Sequence, residues 1–62
     1  MKLNKEKIIK IKLALGLTWQ EIADRGGANT RQSAYLKYKE GSALQAEYFG
    51  KVFGIKPKDL IK

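Results

Sequence analysis

The sequence predicts an all-α fold, a compact bundle of about five short helices in a single domain spanning residues 1–62. Three observations predict it. Apolar residues recur at the three-and-four spacing of helices, and no stretch alternates in the manner of a strand. Gly16, Gly27, Gly41 and Gly54 each follow such a stretch, where the left-handed conformation open to glycine closes helices. Short polar residues stand ahead of the next stretch, where they cap. A chain this short buries only about 60% of the surface exposed when unfolded. With no cysteine and no histidine it has neither a disulfide nor the usual zinc ligands. Its core must come from aliphatic and aromatic packing.

The first helix is expected over residues 4 to 15. Ile8, Ile11, Lys12 and Leu15 fall at i, i+3, i+4 and i+7, with Ile9 and Leu13 widening the apolar face and Lys5, Lys7 and Lys10 mostly elsewhere. Gly16 ends it. Thr18-Trp19-Gln20-Glu21 matches a capping box, and Leu17 supplies the preceding apolar residue that packs onto the first turns. Ile22 and Ala23 then face inward, and Gly26-Gly27 allow a tight change of direction.

Asn29 or Thr30 caps a third helix, on which Tyr35 and Tyr38 are expected to share the buried side, flanked by Ala34 and Leu36. After Gly41, Ser42-Ala43-Leu44-Gln45 reads as a second capping box. Leu44, Ala46, Tyr48, Phe49, Val52 and Phe53 make the fourth helix apolar on more than one face, which suits deep burial or a partner interface. Pro57 fits the first turn of a short last helix, Pro57 to Ile61, which returns Leu60 and Ile61 to the core.

The charge balance points to function. Thirteen Lys and Arg against six Asp and Glu give a net charge of +7 and a pI near 9.9. Such a balance suits a polyanionic partner. No apolar run approaches the ~20 residues that span a bilayer, and Glu6 and scattered lysines interrupt any signal-peptide pattern, so no membrane role and a cytoplasmic location are expected. Without His or Cys, and without a glycine-rich phosphate loop, an enzyme is not expected; nor is a cofactor, a metal or a small-molecule substrate.

The order of these features resembles the lambda-repressor/Cro-type helix-turn-helix family of phage and bacterial regulators, over roughly residues 8 to 61. Ile8, Ile11 and Gly16-Leu17-Thr18 match its first-helix pattern, Ile22, Ala23 and Gly27 its second helix and turn, and Tyr35, Tyr38 and Gly41 its third. Ser42 to Gly54, then Ile55 and Leu60, look like the fourth helix and the start of the fifth. The chain departs from the family in having about two more residues between Gly27 and Gly41, Gly26 at a commonly apolar place, Trp19 where many members have a phosphate-touching Gln, and a shorter loop after Gly41.

The resemblance implies a helix-turn-helix core at 18–41 whose helix around 30–40 lies in the major groove of an operator. Thr30, Arg31, Gln32 and Ser33 at its start are the candidate base contacts. Arg can hydrogen-bond guanine O6 and N7, and Gln adenine N6 and N7. Trp19, Gln20, Lys37 and Lys39 are the candidate phosphate contacts, although core or semi-buried packing suits Trp19 better than a phosphate contact or surface stacking. Cro-like proteins commonly dimerise through their C-terminal portion, which implies a homodimer on DNA formed through Tyr48, Phe49, Val52 and Phe53. The expectation is a phage- or mobile-element-type repressor. Two other readings stay open: a protein-binding antirepressor or host-protein inhibitor on the same fold, and an architectural DNA binder without sequence preference.

Overall fold

The computed structural model describes residues 1–62 and is all-helical: α1 Lys5–Leu15, α2 Trp19–Gly26, α3 Arg31–Glu40, α4 Gln45–Phe53 and a 3₁₀ turn, Pro57–Leu60. No helix is long and apolar enough to cross a membrane. The expected fifth helix is this single 3₁₀ turn, since Ile61 is already extended (φ −117°, ψ 151°).

Local chemistry sets most boundaries. Asn4 Oδ1 accepts from the Lys7 N–H to start α1, and Gly16 closes it at φ 66°. At α2 the capping box is complete: Thr18 Oγ1 accepts from the Glu21 N–H at 3.2 Å, and Glu21 Oε1 accepts from the Thr18 N–H at 3.1 Å. Thr30, not Asn29, caps α3.

The start of α4 differs from the capping box expected at Ser42. Leu44 occupies the cap position, makes no side-chain cap bond and is 80% exposed. Ser42 is committed elsewhere. Its hydroxyl donates to Glu40 Oε1 at 2.8 Å, and its backbone forms an isolated antiparallel bridge with Lys2. Residues 2–4 thread between two other segments: the Leu3 N–H donates to the Gly41 carbonyl, the Asn4 N–H to the Leu60 carbonyl, and the Lys62 N–H to the Lys2 carbonyl.

One core of ten residues results: Leu3, Ile8, Leu17, Ile22, Ala23, Ala34, Ala46, Phe49, Val52 and Leu60. α2 packs between α3 and α4, and the 3₁₀ turn lies on α4. Leu13 and Leu15 do not join the buried face of α1 as expected; they are 69% and 52% exposed, because α1 contributes only Ile8 fully to the core. On α3 the fully buried residue is Ala34, whereas Tyr35 and Leu36 are 43% and 52% exposed. A small residue at the contact lets α2 and α3 approach closely, which pushes the larger side chains to the flanks.

Candidate nucleic-acid interface

The candidate interface centres on α3, whose placement follows from how α2 holds it. Ala34 meets the core, and three rings fasten the flank. Trp19 of α2 packs edge-on against Tyr35 (centroids 5.4 Å apart, planes at 86°) and lies 5.3 Å from Tyr38. Pairs of this geometry each contribute about 0.5–1.5 kcal/mol beyond their buried area. Lysines of α1 cover the cluster, with Lys12 Nζ 5.4 Å from the Trp19 ring and Lys5 Nζ 5.6 Å from the Tyr38 ring. Lys5 Nζ also donates to the Lys39 carbonyl at 3.0 Å, placing a cation at the negative end of α3. Lys5 and Lys12 therefore join α1 to its neighbours.

With Ala34 turned inward, Gln32, Leu36 and Lys39 form the outward stripe of α3 at i, i+4 and i+7. Arg31 is exposed on its flank, beside Tyr35. The four candidate base contacts are thus brought to one helix start but are not equivalent. Arg31 and Gln32 are exposed and no intramolecular hydrogen bond engages either side chain. Thr30 Oγ1 already accepts from the Ser33 N–H at 3.1 Å, and Ser33 is half-buried.

The candidate phosphate contacts divide in the same way. Lys39 is exposed. Lys37 is half-buried, with Nζ 5.2 Å from the Tyr48 ring, in a shallow cleft of about 280 Å³ shared with Gly26, Asn29 and Ser33. Gln20 is exposed, but its amide donates to Asp24 Oδ1 at 3.1 Å. Trp19 is half-buried among the tyrosines, so its ring serves packing.

The residues expected to form a dimer face are largely occupied within the chain. Phe49 is 0% and Val52 5% exposed, both in the core, because α4 is covered by α2 on one side and by the 3₁₀ turn on another. Tyr48 and Phe53 are half-buried against the same core. Tyr48 donates to the Ile22 carbonyl at 3.2 Å, and burial raises its phenol above the ordinary value of 10.0.

Sequence reading missed Leu36 as a surface residue of α3; its place opposite Ala34 on the helical wheel is the signal that finds it. A larger cleft, about 540 Å³, lies where residues 2–6 meet Glu40 and Lys62. It is open and lined by lysines and glutamates together, unlike the α3 stripe. Comparison with family models, curated proteins and solved structures finds no match for this chain.

Proposed function

We infer that the chain is a sequence-specific, DNA-binding transcriptional regulator of the lambda-repressor/Cro type, with α2, the Gly27–Thr30 connection and α3 forming its helix-turn-helix. The observation that carries this reading is the α3 surface. An outward stripe begins with an exposed glutamine, with an exposed arginine on its flank, on a chain of net charge +7. Arginine and glutamine are the side chains suited to guanine and adenine edges in the major groove. Arg31 and Gln32 read bases, Lys39 holds a phosphate, and Thr30 and Ser33 set the start of the helix. The remaining lysines supply sequence-independent attraction that falls with salt. Two copies on a two-fold operator, one helical turn apart, would occlude a promoter in the manner of a phage or mobile-element repressor in the cytoplasm.

The test is selection of binders from a randomised DNA pool, followed by fluorescence anisotropy over a salt series. A recovered motif with a steep salt slope is the expected result, and a palindrome would report two copies on the site. Salt-dependent binding without a motif would replace this reading with an architectural role. Absence of binding at low salt would replace it with a protein partner.

A further inference from the structure

We propose that Leu36 is a specificity-determining residue that recognises the C5-methyl group of a thymine in the major groove, a role that rests on the DNA-binding function inferred above. Leu36 is 52% exposed, although it lies on a ten-residue helix anchored by packing on its other face. It stands opposite Ala34, which is 0% exposed, so it occupies the middle of the surface that α3 turns away from the protein. Single exposed leucines are ordinary on protein surfaces. What distinguishes this one is its company: Gln32 lies one turn before it and Lys39 one turn after it on the same stripe, with Arg31 and Tyr35 alongside. The polar and cationic members suit base edges and phosphates. The apolar member between them suits the single apolar feature of the major-groove floor, the thymine methyl.

Geometry also fixes where that thymine lies. Side chains on a helix lean toward its N-terminus, so the Leu36 side chain lies over the turn that carries Gln32. Residues four apart are separated by about 6 Å along the helix axis, and base pairs by about 3.4 Å along the duplex. The thymine is therefore expected within about two base pairs of the position read by Gln32.

The experiment uses the operator selected above. Each thymine is replaced in turn by deoxyuridine, which keeps the Watson–Crick and groove hydrogen-bonding groups and deletes only the methyl. For the wild-type protein, one position per half-site should lose affinity by about fourfold, the worth of burying one methyl-sized group. Leu36→Ala should bind the thymine operator about as weakly as wild type binds the uridine operator, and should no longer distinguish the two at that position. Leu36→Met keeps an apolar reach and should retain the discrimination. Because Leu36 lies outside the core, the thermal midpoint of both variants should match wild type, which separates contact from folding. Specific binding with no uridine-sensitive position, or an equal uridine penalty in wild type and Leu36→Ala, would overturn the proposal and leave the regulator reading intact. Failure to recover any motif would overturn both.

Discussion

At the scale of single residues, neighbours on one short helix differ in exposure and in hydrogen bonding, and the proposed function gives them separate tasks. Arg31→Ala should relax preference at one base pair at a cost of about 1–3 kcal/mol, whereas Lys39→Ala should weaken all sequences alike and lower the salt slope by about 1; competition binding on single-base variants of the operator checks both. Gly26 is required for space, since a Cβ there would overlap the ring of Tyr48. Alanine in a helix is ordinarily worth about 1 kcal/mol over glycine, but overpacking costs about 1–3 kcal/mol. Gly26→Ala should therefore destabilise the fold by roughly 1 kcal/mol, and in a Tyr48→Ala background the same change should become stabilising; denaturant titration of the four proteins decides. The Tyr48 phenol gives a pH signature. Burial raises it in the folded state, so its contribution to stability is fully present below pH 10.0 and declines as pH rises through the folded value. Tyr48→Phe should flatten the alkaline loss of stability in thermal scans above that pH.

At the scale of elements, α3 depends on a hydroxyl that the sequence also offers as a base contact. Thr30 Oγ1 caps the helix at the Ser33 N–H. Thr30→Ala should lower stability by about 1 kcal/mol, and Thr30→Ser should restore it; loss of specificity without loss of stability would instead make Thr30 a reader. The helix ends were legible because their causes are local. The Thr18–Glu21 reciprocal cap and the left-handed closures at Gly16, Gly27, Gly41 and Gly54 need only neighbouring residues. The start of α4 was not legible because Ser42 is claimed by Lys2, forty positions away, and by Glu40. Leu13, Leu15 and Leu36 were misplaced for a related reason: apolar spacing marks which residues can be buried, and the neighbouring helices decide which are. The helix that carries the candidate contacts, and the residue types at its start, were legible. Which of those side chains stay exposed and which are engaged within the chain was not, since that depends on which side of α3 meets α2.

For the whole molecule, charge and size act together. The principal extents are 26 × 21 × 16 Å. One copy is thus shorter than the roughly 34 Å between half-sites one turn apart, the separation that the proposed two-copy arrangement spans. Thirteen cationic side chains are held within this volume, against six carboxylates. The screening length falls from about 30 Å at 0.01 M salt to about 8 Å at 0.15 M, so repulsion that spans the molecule at low salt becomes local. Added salt should raise the thermal midpoint by several degrees, and the same addition should weaken DNA binding by about 0.9 in log–log slope for each phosphate neutralised. Parallel melting and binding series check the opposed signs.

The threading of residues 2–4 between residues 41–42 and 60–62 has a further consequence. The backbone leaves one place, traverses four helices and returns to within a hydrogen bond of where it set out, Lys62 N–H to Lys2 carbonyl at 2.8 Å. A short peptide linker joining Lys62 to Met1 would make a cyclic protein with little distortion of the native backbone, while removing from the unfolded chain much of its freedom to separate those ends. Such a ring could be reopened at the exposed Gly54 turn to give a circular permutant, with the α2–α3 unit far in sequence from either new end.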